Sequence, residues 1–344
     1  MTAQRRNCRS DEVRRLLLAS LRAGHAPGER FLTVRAITRR HDVSMQTAQN
    51  LMKRLRADGV IEHRPHGVSY VKRIPSRTPP YRIVVLVPRH AGWFRERFLD
   101  GFAAGFGARV PAGSLVELES SLVSSVECVE RVAGLDPDGV IGVAHGYGWP
   151  FYALHRLGVP VLADLASSEW PGMPVTSVEF PATAGAAGVM LRRHGHRRAS
   201  VVGSHHAGAD FAAFKAGLAG EGAALVADIY SPEATQHLCE HLHTHKPTAL
   251  YMADNSVLPT VLSVLASEGL RVPEDVSLVM HDSNREPYEG FAVPPIASVG
   301  PSIQEIGKAL AERMCRMLDG SGAKEPALQY LKPVVRVTAS VRRV

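Results

Sequence analysis

Residues 44–55, SMQTAQNLMKRL, predict a short helix whose side chains separate into two faces. The apolar side chains follow the i, i+3, i+4, i+7 spacing of one helix face: Ala48, Leu51, Met52 and Leu55. The polar side chains repeat that spacing on another face: Gln46, Gln49, Asn50 and Lys53. Ser44 occupies the position preferred for an N-cap. From this window alone, a solvated amphipathic helix that binds nothing is the simpler interpretation.

A second helical pattern, residues 33–41, precedes this segment, and only Asp42 and Val43 separate the two. Two helices joined by a tight turn are typical of a helix-turn-helix, in which the second helix enters the major groove of DNA. Asn and Gln side chains can form paired hydrogen bonds to an adenine edge in that groove. The amide face therefore predicts base contacts by the second helix.

Positive charge is concentrated at the start of the chain, which has 40 Lys and Arg and 33 Asp and Glu residues in all. Residues 1–73 hold 16 basic and 6 acidic residues, a net charge of +10. Residues 74–344 hold the remaining 24 basic and 27 acidic residues, a net charge of −3. A basic segment joined to a mildly acidic remainder is typical of a small nucleic-acid-binding module attached to another domain. The basic side chains available for phosphate contacts are Arg35, Arg39, Arg40, Lys53, Arg54, Arg56, Arg64, Lys72 and Arg73.

The segments on either side complete a small domain. Residues 11–22 place Val13, Leu17 and Leu21 on one face of a first helix. After the second and third helices, residues 60–62 and 68–71 predict two strands around a Pro-His-Gly turn at 65–67. The order helix, helix, helix and two-stranded wing predicts a winged helix-turn-helix.

Residues 23–71 resemble the GntR family of bacterial repressors. The resemblance rests on AGHAPGERF, LTVRAITRRHDVSMQT and LRADGVIEHRPHGVSYV, which follow the family's spacing of Pro-Gly-Glu, an Arg in the second helix, Val-Ser-x-x-Thr and a wing. Met45 and Gln49 stand where the family usually has Arg, and Val68 where it has a second wing glycine, so the operator sequence does not transfer. The resemblance and the charge pattern together give these DNA-binding candidates: Arg35, Ser44, Gln46, Thr47, Gln49, Asn50, Lys53, Arg64 and His66.

Residues 74–80, IPSRTPP, hold three prolines in seven residues and predict an extended, semi-rigid linker. We place the domain boundary there, because the net charge changes sign across it. The predicted organisation is a DNA-binding domain at 1–73, a linker at 74–80 and a second domain at 81–344.

From Tyr81 onward, apolar runs alternate with helical stretches. Runs of Val, Ile and Leu without polar alternation predict strands of a parallel sheet covered on both faces. The predicted strands are 82–88, 138–144, 159–164, 199–203, 250–253 and 276–281, and the predicted helices are 94–106, 182–194, 211–221, 256–268 and 303–318. About 260 residues are long for one open sheet, so we expect an α/β domain of two lobes with a ligand cleft.

Residues 81–340 resemble the LacI/GalR type of effector domain, which has a periplasmic-binding-protein fold. The resemblance rests on DPDGVIGVA, LGVPVL, LRRHGHRRASVVG, KPTALYMADN and the long run from Gly269 to Met314 that begins GLRVPEDVSLVMHD. It implies a ligand-binding and dimerising domain whose ligand contacts lie in loops at strand ends.

By position, Asp282 matches the family's cleft aspartate, whereas Asp210 stands where the family has a ligand-binding arginine. Asn255 follows Asp254, whereas the family has this pair in the order Asn-Asp. Because an aspartate cannot replace a bidentate donor, an ordinary sugar or sugar phosphate is disfavoured. A ligand with donors of its own and a cleft that has lost its ligand both stay open. Further candidates near strand ends are Trp93, Phe94, His145, Tyr147 and His205.

Sixteen histidines raise the question of a metal site, and His237 and His241 have i, i+4 spacing on a predicted helix, followed by His243 and His245. A closed zinc site needs four ligands, so we expect no metal and no cofactor. The four cysteines, Cys8, Cys128, Cys239 and Cys315, show no paired spacing, which favours a reducing compartment.

The chain shows no catalytic motif, no apolar signal segment before its basic start and no apolar run long enough to span a membrane. We therefore predict a cytoplasmic, ligand-responsive transcriptional regulator, a repressor by its resemblance, with no catalytic residues. It is expected to act as a homodimer on a near-palindromic double-stranded operator and to respond to a small-molecule effector, a sugar or a derivative. The alternatives are a solute-binding sensor with only non-specific DNA affinity and, less favoured, an enzyme.

Overall fold

The computed structural model describes residues 10, 13–14, 16–18, 20–21, 25, 27–64, 68–73, 79–87, 92–119, 125–143, 148–156, 159–164, 173–203, 207–226, 233–253, 257–281, 294–322 and 324–344. The chain divides into two compact units, each discontinuous in sequence. The first comprises Met1–Arg95, Phe102–Thr176 and Lys308–Gln329, and the second comprises Glu96–Gly101, Ser177–Gly307 and Tyr330–Val344. Most of the predicted linker, residues 74–78, lies outside the described residues.

The basic N-terminal segment contains both helices predicted around the tight turn, Val34–His41 and Met45–Ala57. Each is capped by a hydroxyl, because Thr33 accepts a hydrogen bond from the Ala36 amide and Ser44 accepts one from the Thr47 amide. The strands Ile61–Arg64 and Val68–Val71 follow and pair antiparallel. An apolar core joins these elements to the helical residues that precede them: Val13, Leu17, Leu21, Ile37, Leu51, Leu55, Val60, Ile61 and Val71.

The first unit also contains a six-stranded sheet, whose neighbouring strands from Val175–Val178 through Leu115–Glu119 are parallel. In spatial order its strands are Leu328–Leu331, Val175–Val178, Val161–Asp164, Gly139–Val143, Ile83–Val87 and Leu115–Glu119. The remaining helices with residues in this unit are Gly92–Phe106, Ser125–Gly134, Gly148–Arg156 and Ile303–Asp319. Two short 3₁₀ turns, Gly107–Arg109 and Ala112–Ser114, lead into the edge strand.

A second six-stranded sheet forms the centre of the second unit, and its described pairings are parallel except that between Ala297–Val299 and Val335–Arg336. In spatial order its strands are Val335–Arg336, Ala297–Val299, Ser277–Met280, Ala249–Met252, Arg198–Gly203 and Glu221–Val226. Alternate residues of one strand enter different cores: Tyr251 packs with the helices Phe180–Arg193 and Ala207–Leu218, and Met252 with Ala234–His245 and Leu258–Ser267. Both faces are therefore covered, which explains the uninterrupted apolar runs.

The helices Phe180–Arg193 and Ala207–Leu218 approach each other closely because small residues line their contact. A Cβ added at Gly188 would lie 2.3 Å from the Phe214 carbonyl oxygen, and one at Gly217 would lie 2.2 Å from the Gly185 carbonyl oxygen. Larger side chains at these positions would separate the two helices.

Most predicted elements agree with the structure to within a few residues, and one is wrong at its end. The helix predicted over 211–221 ends at Leu218, because Ala219 adopts a left-handed φ of 49° and Glu221 starts a strand. The strands that were not predicted are Leu115–Glu119, Val175–Val178, Glu221–Val226, Ala297–Val299, Leu328–Leu331 and Val335–Arg336. Each contains at least one polar or charged residue, so none is an uninterrupted apolar run.

The charged side chain of Arg313, in the first unit, is buried at 2% exposure. Its guanidinium donates hydrogen bonds to the carbonyls of Val175, Pro326 and Ala327 and to Thr176 Oγ1 at 2.9 Å. Its Nε lies 3.4 Å from Glu325 Oε2. This arginine thus ties its own helix to the strand Val175–Val178 and to the segment before the strand Leu328–Leu331.

We expect Arg313→Ala to lower the free energy of unfolding of the full chain by about 3 kcal/mol or more, because it leaves the buried carbonyls without their donor and removes one of the two arginines that pair with Glu325. Urea unfolding followed by circular dichroism measures this change. Lys308→Ala, at an exposed position of the same helix, is the control and should change stability by less than about 0.5 kcal/mol. Equal effects of the two substitutions would contradict the assignment.

Candidate functional site

The helix Met45–Ala57 presents the predicted polar face to solvent. Gln46, Gln49, Asn50 and Lys53 are all exposed, whereas the four apolar residues of the other face are buried. Gln46 Nε2 donates a hydrogen bond to Asn50 Oδ1 at 3.2 Å, so these two amides support each other across one helical turn. Among the described residues of this helix, basic side chains occur only from Lys53 onward.

Other predicted DNA-binding residues hold the local structure together. Ser44 Oγ accepts from the Thr47 amide at 3.1 Å and lies 2.8 Å from Thr47 Oγ1, so both hydroxyls take part in the cap. Arg64 pairs with Glu62 at 2.8 Å and places its guanidinium carbon 4.4 Å from the centre of the Tyr70 ring. Arg35 is exposed on the preceding helix. His66 lies outside the described residues.

Among the predicted ligand-binding residues, the structure describes the side chain of Asp210 alone. His145, Tyr147, His205, Asn255 and Asp282 lie outside the described residues, as do the side chains of Trp93 and Phe94. The exception is Asp210, which is 8% exposed in the first turn of the helix Ala207–Leu218. That helix follows the carboxyl end of the strand Arg198–Gly203.

Three aromatic residues of the second unit, which the sequence did not single out, meet at the same edge of the sheet. His281 directly follows the strand Ser277–Met280 and accepts from or donates to the Tyr251 hydroxyl through Nδ1 at 3.1 Å. The Phe180 ring stacks on the His281 ring with centroids 4.8 Å apart and planes 13° from parallel. The one available signal was that His281 immediately precedes the predicted Asp282.

Parallel pairing brings these positions to one edge. The Ala253 amide donates to the Val202 carbonyl and the His281 amide to the Met252 carbonyl, each at 2.9 Å, so three strands end side by side. Asp210 and Phe180 lie in the first turns of two helices of this unit. Ligands of open parallel sheets bind outside the carboxyl ends of the strands, so this edge is the candidate ligand site of the second unit.

The rings of His241 and His245 on the helix Ala234–His245 have centroids 4.5 Å apart, but the other histidines of this helix have separate surroundings. His241 is buried and its Nε2 lies 2.8 Å from Ser200 Oγ, while His243 Nε2 lies 2.7 Å from Glu268 Oε2, and His237 is exposed. Within the described part of the chain, no group of three or more His, Cys, Asp or Glu side chains is placed to hold a metal. The described cysteines, Cys128, Cys239 and Cys315, are free thiols, and Cys8 lies outside the described residues.

Burial of His241, assisted by the neighbouring His245, lowers the pKa of its imidazole to about 4. The folded chain therefore binds fewer protons at this site than the unfolded chain between about pH 6.5 and pH 4. The stabilisation is complete above that range and is lost as the pH falls through it.

Between pH 7.5 and pH 5.5, we expect the His241 site alone to lower the free energy of unfolding by about 1 kcal/mol. His241→Gln should reduce the pH-dependent loss by that amount, measured as the difference in urea unfolding between the two pH values. His237→Gln, on the exposed face of the same helix, should keep the wild-type difference. An unchanged pH dependence in His241→Gln would refute the assignment.

Among the described residues, no helix combines the length and apolar character needed to cross a membrane.

Residues 189–340 match the family model described as a periplasmic binding protein-like domain. A curated relative, a probable opine utilization operon repressor from Rhizobium rhizogenes, is 28% identical over 97 residues. That match covers 28% of this chain and 48% of the relative, so the chain spans about half of the relative's length.

Solved structures share the α/β architecture. A LacI family transcriptional regulator from Bifidobacterium animalis subsp. lactis superposes with a TM-score of 0.61 and 23% identity, over 78% of this chain and 100% of that one. A LacI family regulator from Arthrobacter sp. FB24, in complex with lactose, gives a TM-score of 0.61 and 20% identity over 77% of this chain and 100% of that one. The predicted two-lobed α/β fold is confirmed: residues 189–340 are similar to periplasmic binding protein-like domains, and the chain has the fold found in LacI family transcriptional regulators.

Proposed function

We propose that this protein is a ligand-responsive, DNA-binding transcriptional regulator that acts in the cytoplasm as a repressor. The observation that carries the proposal is the joining, in one chain, of a basic helical segment with a domain of the LacI-regulator fold. The curated relative and the solved structures that this chain matches are named as transcriptional regulators rather than enzymes.

The N-terminal segment acts as a winged helix-turn-helix of the GntR type. Three lines support this assignment: the hydroxyl-capped helix pair, the antiparallel strands that follow it and the net charge of +10 over residues 1–73. The helix Met45–Ala57 would lie in the major groove, where Gln46, Gln49 and Asn50 meet base edges and Lys53 meets a phosphate. Arg64, and with it the strand pair, would contact the DNA backbone.

Two heads are required if the operator is near-palindromic, because a two-fold symmetric site is matched by a two-fold symmetric protein. We therefore propose a homodimer in which the domain at 81–344 dimerises and the segment at 74–80 connects it to the head.

The effector would bind at the carboxyl ends of the strands of the second sheet, where it would contact Asp210 and His281. Asp210 can accept hydrogen bonds but cannot donate them, so this site favours an effector that carries its own donors, such as an amine or several hydroxyls. An opine, which the curated relative's name mentions, and a sugar derivative are the first classes to screen.

The direct test of this function is selection of duplex DNA from a random pool by the full chain at fixed salt. Enrichment of an inverted repeat would establish a dimeric, sequence-specific regulator. Binding that enriches no sequence and only weakens with salt would contradict the proposal and support the alternative, a solute-binding sensor with non-specific DNA affinity.

We expect Lys53→Ala to weaken binding to all DNA sequences about equally, because a phosphate contact carries no base information. The slope of log K against log salt should fall by about 1, as measured by fluorescence anisotropy at several salt concentrations. Lys215→Ala, an exposed lysine of the second unit, is the control and should leave the slope unchanged. A change in base preference with Lys53→Ala would contradict its assignment to a phosphate.

We expect Asp282→Ala to abolish the effector response while DNA affinity in the absence of effector stays within about two-fold of wild type. The measurement is the thermal shift and the operator affinity with the ligand found by the screen. Glu130→Ala, an exposed carboxylate on the helix Ser125–Gly134, should respond like the wild type. A full response in Asp282→Ala would place the ligand elsewhere.

A further inference from the structure

The exposed surface of the helix Met45–Ala57 changes in chemistry along its length. Its exposed residues from 45 to 50 are Met45, Gln46, Gln49 and Asn50, none of which is charged. From 53 to 56, the exposed side chains are Lys53, Arg54 and Arg56. In a segment with a net charge of +10, the first half of this helix thus presents only neutral groups.

Helical spacing arranges these side chains in two neighbouring rows. Residues four apart lie one above the other, so Met45, Gln49 and Lys53 form one row, and Gln46, Asn50 and Arg54 form the other. Each row begins with neutral groups and ends with a cation. The neutral part rises about 7.5 Å along the helix axis, which corresponds to about two base-pair steps.

The chemistry of the major groove distinguishes what such a surface can recognise. Guanine presents two acceptors, and the usual partner for them is an Arg or Lys that donates twice. Adenine presents an acceptor and a donor, which match an Asn or Gln amide, and thymine presents a methyl group that prefers an apolar contact. The neutral half of this helix holds amides and a thioether and no bidentate cation.

Two structural details support this match. The hydrogen bond from Gln46 Nε2 to Asn50 Oδ1 limits the rotamers of both amides before DNA is present, which lowers the entropy lost on binding. Met45 is 46% exposed, so its thioether side chain is accessible to a partner. Contact with a thymine methyl group would remove its apolar surface from water.

Building on the proposed DNA-binding function, we propose that the half-site read by this helix is specified by adjacent A·T pairs. Asn50, supported by Gln46, forms paired hydrogen bonds with an adenine. Met45 contacts the methyl group of a neighbouring thymine. Lys53 and Arg54, at the other end of the rows, bind phosphates and fix the position of the helix.

The test combines the selection described above with atom-specific DNA analogues. In the selected half-site, each thymine is replaced in turn by deoxyuridine, which lacks the methyl group, and each adenine by 7-deazaadenine, which lacks the N7 acceptor. Affinities are measured by anisotropy with the full chain carrying the wild-type helix, Met45→Ala or Asn50→Ala. Circular dichroism checks that both variants fold, which the exposed positions of Met45 and Asn50 favour.

The expected result is that one deoxyuridine weakens wild-type binding about 3- to 5-fold and leaves the affinity of Met45→Ala unchanged. One 7-deazaadenine should weaken the wild type about 5-fold or more and leave Asn50→Ala unchanged. Met45→Arg should shift the preference at its position toward guanine. Arg56→Ala, at the basic end, is the control and should weaken binding without altering either preference.

A selected half-site specified by G·C pairs at the contacted positions would overturn this inference while leaving the regulator itself intact. Analogue effects of equal size in the wild type and in both variants would also overturn it. Enrichment of no sequence at all would count against the proposed function and therefore against the inference that depends on it.

Discussion

Burial of both faces of two parallel sheets is the constraint on which the α/β part of this protein depends. Alternate residues of the strands Ala249–Met252 and Ser277–Met280 enter different apolar cores, so most positions on both faces hold apolar residues. Each connecting helix must then return the chain to the edge at which the parallel strands begin. The carboxyl ends of the strands therefore lie together at the opposite edge. That topology, rather than any local motif, brings Asp210, Tyr251 and His281 to one edge of the second sheet.

The N-terminal segment follows different physics. Its core is a single small cluster, and the rest of its surface is available for charge. The buried face of the helix Met45–Ala57 fixes which residues point outward, and we propose that these few exposed side chains set both the affinity for DNA and the sequence preference. Cations dominate one end of that helix and neutral groups the other. In the proposed complex with DNA, the cations set the affinity for any duplex and the neutral residues set the preference for one sequence.

Sequence patterns predicted much of the fold, and the exceptions have physical causes. Strands rich in Val, Ile and Leu, such as Ile83–Val87, were predicted because burial on both faces leaves an uninterrupted apolar run. Glu221–Val226, EGAALV, has no such run, and its assignment as a strand depends on pairing with Arg198–Gly203. The amide face was evident from spacing, whereas the stacking of Phe180 on His281 joins residues about a hundred positions apart and no local pattern could predict it.

We propose that this chain couples a DNA-binding head to a ligand-binding domain. Coupling of this kind is reciprocal, and it commonly changes affinity by about 5- to 150-fold. The most direct measurement is operator affinity at zero and saturating ligand, paired with ligand affinity at zero and saturating operator. Coupling predicts that ligand changes operator affinity, and operator changes ligand affinity, by the same factor, which differs from one. Two factors equal to one, for a ligand that binds and an operator that is recognised, would show that the two sites share a chain without regulating each other.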